Sequence, residues 1–196
     1  MNIMKKTVVQ LTMIFAAAIL IISCGQDKKT ETKESQETTE EKPAEVVIQP
    51  MADLDVTDAS TDVKFANESV NAIYINYLRV KAALVNSDNA LTMKTGSQLF
   101  DAIPEDEATK ELKATAELLS VTKEIKKQRD FFVTLTDEVE KLIKNEEITS
   151  GEVYKQFCPM AFEGQGGFWL SNSKEIRNPY YGDKMLKCGS VKETIK

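Results

Sequence analysis

Two short segments near the end of the chain hold four sulfur atoms: Phe157-Cys158-Pro159-Met160 and Met185-Leu186-Lys187-Cys188-Gly189. Thiolates and thioethers select soft, low-valent cations, copper(I) above all, because polarizable sulfur matches a polarizable ion better than oxygen does. In an extended strand Cys158 and Met160 would project from one face, and Met185 and Cys188 stand one helical turn apart. If the two segments meet, Cys158, Met160, Met185 and Cys188 can converge on one ion. Zinc is the poorer fit, since it wants four ligands from Cys, His or carboxylate. The chain has no His, so Glu163 and Asp183 would have to complete that shell. A Cys158–Cys188 disulfide competes for the same sulfurs. It would close a loop of about thirty residues and stabilise by roughly 3.5 kcal/mol in the chain-entropy account, leaving both methionines as packing. The two states can also alternate, with reduction and metal loading opposing oxidation.

The N-terminus supplies the compartment. Lys5 and Lys6 precede an apolar run from Val8 to Ile22 broken only by Gln10 and Thr12, the pattern of a secretory signal and too short for a confident membrane span. The run ends Ile21-Ile22-Ser23-Cys24-Gly25, which resembles a bacterial lipobox. Residues 1–23 are therefore expected to be a signal peptide, with Cys24 lipidated and anchored in the membrane. Gly25 in place of Asp favours, by the same resemblance, the outer membrane facing the periplasm. Cleavage removes two of the 25 basic residues and leaves 23 against 31 acidic ones, a formal net charge of −8. Such an acidic body without a basic stripe speaks against nucleic-acid binding. Residues 24–52 are rich in Glu, Lys, Thr and Gln, cannot bury enough apolar surface to offset their ordering entropy, and read as a flexible tether. Residues 53–196 are the size of one domain.

The elements that must position the sulfurs are mainly helical. A helix from a Ser60-Thr61 cap places Val63, Val70, Ile73, Tyr74, Tyr77, Leu84 and Val85 on one face. Asp88 caps a second helix carrying Leu91, Leu99, Phe100 and Ile103 before Pro104, with Gly96 a weak point inside it. A third starts in Glu105-Asp106-Glu107 and runs through Leu112 and Leu119 toward Ile125. The fourth carries Phe131, Phe132, Leu135, Val139, Leu142 and Ile143 up to Asn145. Short polar breaks predict an antiparallel four-helix bundle. Past Gly151 the composition changes: six of the eight glycines and half of the aromatic residues fall between Gly151 and Gly189. This predicts a small hairpin-and-turn region, with Val153–Phe157 and Phe168–Leu170 pairing across residues 164–167 and a second turn at Tyr180-Tyr181-Gly182. The last residues are expected to form a brief helix or fray. Trp169 and the tyrosines fill a small core or wall the site, Arg177 pairs with Glu175 or Asp183, and Asn178-Pro179 fixes a turn.

The run CPMAFEGQGGFWLSNSKEIRNPYYGDKMLKCGSV, together with Gln128-Arg129 and the Phe131-Phe132 helix, resembles the bacterial family known as domain of unknown function 3347 over about residues 53–191. Its members are small lipoproteins or segments appended to periplasmic adaptor subunits of heavy-metal efflux pumps. The resemblance implies a helical envelope domain with a part in handling copper or a related metal. Where many heavy-metal domains place His beside Cys-Pro-Met, Ala161 follows here, which argues against an imidazole ligand.

The expected function is thus non-enzymatic: copper(I) or soft-metal binding by a lipid-anchored envelope protein, for buffering or delivery to an efflux system. The alternative is a disulfide-stapled interaction module that docks on an envelope partner without metal. A thiol–disulfide enzyme ranks last, since no Cys-x-x-Cys occurs and neither cysteine has an activating base nearby in sequence. Replacing Cys24 by Ser is expected to release the protein from the membrane fraction or block its maturation. Unchanged fractionation and processing would remove the lipoprotein assignment.

Overall fold

The computed structural model describes residues 62–196. The expected signal peptide 1–23, the lipidation site Cys24, the tether 24–52 and the first residues of the domain lie outside the described residues. Within them the protein is mainly helical with some antiparallel sheet.

Helix α1 (Glu68–Val85) starts at Asn67, whose Oδ1 accepts the Ser69 amide at 2.9 Å. The expected start at Ser60-Thr61 is therefore too early. The reason is upstream competition: Lys64–Phe65 form strand β1, which pairs antiparallel with β2 (Ile148–Ser150). Asn71 secures that strand by accepting the Phe65 N–H at 2.8 Å and donating to its carbonyl at 2.9 Å. Val63 reaches the core from outside the helix.

Helix α2 (Asn89–Ala102) is capped as expected, with Asp88 Oδ1 accepting the Leu91 amide at 2.9 Å. A Cβ on Gly96 would lie 3.0 Å from both Leu119 Cβ and Ser120 N. Glycine there lets α2 approach α3 (Lys110–Val121) closely, which offsets its poor helix propensity. A 3-10 turn at Glu107–Thr109, capped by Asp106, leads into α3. Helix α3 ends at Val121, so Ile125 opens α4 (Ile125–Lys144) instead of extending the third helix. Fully buried Gln128 locks this corner: its Nε2 donates to Thr122 O at 2.6 Å and to Asn89 O at 3.0 Å, tying together the starts of α2 and α4 and the end of α3. Helix α1 packs on α2 and α4, α2 on α3, and α3 on α4. Phe132, Leu135, Val139 and Ile143 of α4 are buried, as their spacing predicts.

Strand β3 (Val153–Cys158) is the centre of a three-stranded antiparallel sheet, between β4 (Gly167–Ser171) and β5 (Ser190–Ile195). The expected hairpin is present, with Phe157 opposite Phe168 and Gln156 opposite Trp169. The chain end does not form a helix or fray: it is β5, which pairs with the edge of β3 that β4 leaves free and so satisfies its backbone groups.

Helices and sheet meet at Tyr77. Its phenol lies 3.0 Å from Thr136 Oγ1 on α4 and accepts the Leu170 amide of β4 at 2.9 Å. Burial pushes this phenol far above its ordinary pKa, so it stays neutral and serves as a fixed crosslink. Replacing Tyr77 by Phe leaves a buried N–H and a buried hydroxyl without that partner, and should destabilise the domain by about 1–3 kcal/mol in urea unfolding. A loss under about 0.5 kcal/mol would show that the hydroxyl does not join the two layers.

Candidate functional site

Cys158 ends β3 and is completely buried, opposite Gly167 of β4. Cys188 arrives from the other side, two residues before Ser190, which pairs with Phe157. The sheet register thus brings together two cysteines thirty residues apart in sequence. Their Sγ atoms lie 2.9 Å apart and both are free thiols. This separation stands between two chemical outcomes. A disulfide bond needs about 2.05 Å, whereas two thiolates sharing a tetrahedral ion at bond lengths of about 2.3 Å stand roughly 3.8 Å apart. Each outcome requires a movement of only about 1 Å, within reach of side-chain rotation.

The methionines stand close to the cysteines in sequence and are exposed. Met160 is 54% exposed and Met185 36%. The expectation that Cys158 and Met160 share one face of an extended strand does not hold: the strand stops at Cys158, and Met160 has helical angles at the mouth of the turn Ala161–Gly164. Pro159 supplies the reason, since it has no N–H to continue the ladder. Met185 and Cys188 do lie one turn apart, with the Cys188 amide bonded to Met185 O at 3.0 Å. The backbone of Met160 reaches the Cys188 thiol as a hydrogen-bond partner.

Zinc completed by carboxylates is not supported. Among the described residues no group of three or more His, Cys, Asp or Glu side chains stands where it could hold a metal, so Glu163 and Asp183 do not join the cysteines in a shell. Glu163 lies in a turn where both it (φ 58°) and Phe162 (φ 51°) adopt the left-handed conformation. Such residues cost on the order of 1–3 kcal/mol each. The turn is held by bonds from Gln165 N to Phe162 O at 3.2 Å and from Gly166 N to Ala161 O at 2.9 Å, and by the Phe162 ring, edge-on to Tyr180 at 5.0 Å. Beside it lies a cavity of about 440 Å³ lined by Arg129, Asp130, Phe162, Tyr180 and Tyr181 among others.

Trp169 is fully buried behind the sulfurs, its indole N–H donating to Gln156 Oε1 at 2.6 Å, and Arg177 pairs with Glu175 at 3.0 Å. Sequence reasoning missed two residues that hold the site. Asn178, read only as the start of a turn, is fully buried and bonds the Cys188 carbonyl at 2.9 Å. Arg129 of α4 donates from Nε to Pro179 O at 2.9 Å and from Nη2 to Ser87 Oγ at 3.0 Å. Burial lowers the Arg129 pKa and Asp183 opposes that shift. An Arg within the first turns of a helix, four residues past its start, was the available signal.

Residues 73–151 match the family described as a protein of unknown function (DUF3347). The match covers α1 from Ile73 onward, α2, α3, α4 and β2, and stops before the Cys-Pro-Met segment. No curated protein and no solved structure matches the chain. Among the described residues no helix is long and apolar enough to cross a membrane.

The thiol pair has a measurable signature. The hydrogen bond to Cys158, then burial, raises the Cys188 pKa above its ordinary value of 9.0. The reactive species is the thiolate, so alkylation of Cys188 in the reduced protein should be slow at neutral pH and still accelerate above pH 9.0. Replacing Cys158 by Ala should shift that profile to lower pH. An unshifted profile would show that the two thiols do not interact.

Proposed function

We propose that the helical DUF3347 segment, with the strands that follow it, carries a soft-metal site in which Cys158 and Cys188 are the thiolate ligands and Met160 and Met185 the thioether ligands at its mouth. The single observation behind this reading is the 2.9 Å approach of two free thiols, one at the end of β3 and the other in the loop before β5. Copper(I) suits the donors, because it accepts few ligands and prefers sulfur, and the chain contains no imidazole. When bound, such an ion would draw the thiols into one charged centre, and the complete burial of Cys158 would keep water from that sulfur. The reading includes a non-enzymatic role, buffering the ion or passing it to a heavy-metal efflux system through that system's adaptor. It also includes attachment to the cell envelope by lipid on Cys24, with the outer membrane as its place. We read α1 to α4 as an antiparallel four-helix bundle, supported by their short connections and by the contact of each helix with the next and of α4 with α1.

The same contact favours one rival: a Cys158–Cys188 disulfide that staples an interaction module needing no metal. A metal titration separates the two. Reduced protein should take up one copper(I) and unfold at higher temperature when loaded, since a ligand that binds only the folded state adds RT ln(1 + [L]/Kd). Replacing Met160 and Met185 together by Leu preserves volume, should cost under about 1.5 kcal/mol per site in the metal-free protein, and should weaken copper(I) affinity clearly. The metal reading fails if reduced wild-type protein competes for copper(I) no better than the double Leu variant.

A further inference from the structure

We propose that Asn178 is the positioning residue of the thiol pair, fixing how far Cys188 reaches toward Cys158. This rests on reading the pair as the functional site, though not on which ion or bond the sulfurs make.

Residues 178–188 form a loop that Asn178 closes at its own base. Its backbone N–H donates to Leu186 O at 2.9 Å, and its side-chain Nδ2 donates to Cys188 O at 2.9 Å. Its Oδ1 accepts the amides of Tyr180 at 2.8 Å and Tyr181 at 3.3 Å, and its carbonyl accepts the Gly182 amide at 3.0 Å. Asn178 is therefore fully buried and held by five hydrogen bonds, and the Cys188 backbone cannot shift without breaking one of them. Only an amide side chain serves: it offers a donor for one carbonyl and an acceptor for two N–H groups, whereas an ionised carboxylate offers acceptors alone.

The same loop also holds the segment that follows the other cysteine. The Tyr181 phenol donates to the carbonyl of Met160, two residues past Cys158. Arg129 anchors the loop to the helices through Pro179 O, and through Ser87 Oγ to the end of α1. On the far side, Gly189 adopts φ +147°, and a Cβ there would lie 2.8 Å from Trp169 Cη2 and 3.0 Å from Phe157 O. The backbone after Cys188 is thus pressed against the wall of the sheet while Asn178 holds it from the loop side. With both flanks fixed, the loop sets the backbone distance across which rotation of the two side chains can bring the sulfurs together.

The test reads the proximity of the thiols as a redox equilibrium, in which Cys158 and Cys188 lose two protons and two electrons to oxidised glutathione, which becomes two glutathione thiols. Full-length protein is equilibrated in glutathione buffers, and Asn178→Asp is compared with wild type. The variant should lower the equilibrium constant for closing the pair at least tenfold, a rise of about 30 mV in reduction potential. Leu119→Ala, in the α3 core away from the loop, should lower the unfolding temperature yet leave the constant within twofold. Arg129→Lys, which keeps the charge but loses the Nε bond to Pro179, should move the constant in the same direction by less, and it carries the test if Asn178→Asp does not fold. The proposal is overturned by an Asn178→Asp constant within twofold of wild type, by an equal shift in Leu119→Ala, by an unmoved Arg129→Lys if Asn178→Asp does not fold, or by a wild-type pair that stays reduced in oxidised glutathione. No metal enters the measurement. Failure of copper(I) binding with a shifted potential removes only the metal reading, and intact copper(I) binding with an unshifted potential removes only the positioning role.

Discussion

A continuous column of aromatic rings ties the helices of this protein to its sheet, and most other features depend on it. Phe65 of β1 meets Tyr74 of α1 edge-on at 5.4 Å, Tyr74 stacks on Tyr77 at 6.2 Å, and Tyr77 stacks on Phe132 of α4 at 5.2 Å. Phe132 then meets Tyr180 at 6.0 Å, and Tyr180 touches both Trp169 of β4 and Phe162 of the turn after Cys-Pro-Met. Offset and edge-on pairs at these separations contribute beyond the area they bury. More important is what the column carries. Tyr180 sits in the loop that Asn178 closes, so the packing that stabilises the helical core also orients the loop that delivers Cys188.

Several polar groups along this column have their hydrogen bonds inside the protein. The Tyr77 phenol meets Thr136 and the Leu170 amide, the Tyr180 phenol donates to Phe168 O, and the Trp169 indole donates to Gln156, which in turn donates to Ser173 O at 2.8 Å. Burial raises the pKa of Tyr180 as it does that of Tyr77. Both phenols are therefore held in the neutral, hydrogen-bonding form. Charge enters the interior only with partners: fully buried Lys81 of α1 donates to Ser171 Oγ of β4 at 3.0 Å, and Glu140 of α4 lies 2.7 Å from Lys155 of β3 and 2.8 Å from Lys144, which also reaches Glu193 of β5 at 3.1 Å. Burial works against the Glu140 carboxylate, but the two lysines outweigh it and hold its pKa below the ordinary value.

The helices were legible because period and punctuation agree. Asp88 before Leu91, and Phe132, Leu135, Val139 and Ile143 at helical steps, lead directly to α2 and α4. Where punctuation is weak the reading slipped. Thr122-Lys123-Glu124 contains neither Gly nor Pro, and the break there depends on Gln128 bonding both the Thr122 carbonyl and that of Asn89, thirty-nine residues away, which no local pattern records. Strand β5 was missed for a different reason: five of its six residues are exposed, so no apolar alternation betrays it. The meeting of Cys158 and Cys188 could be stated only as a condition. Its fulfilment comes from sheet register and from Asn178, whose partners are main-chain atoms that look alike in every residue.

Strand β5 also gives the thiol pair a mechanical character. Its antiparallel pairing runs from Ile195 opposite Val153 to Ser190 opposite Phe157, and Cys188 lies two residues further on. Tension applied at Lys196 loads these bonds one after another, in the geometry of an opening zipper, and not all together in shear. The fracture would travel along β3 toward Cys158, and once Ser190 came free the load would pass to Cys188, Asn178 and the loop. A weight hung on the tail is in this sense a lever on the gap between the sulfurs.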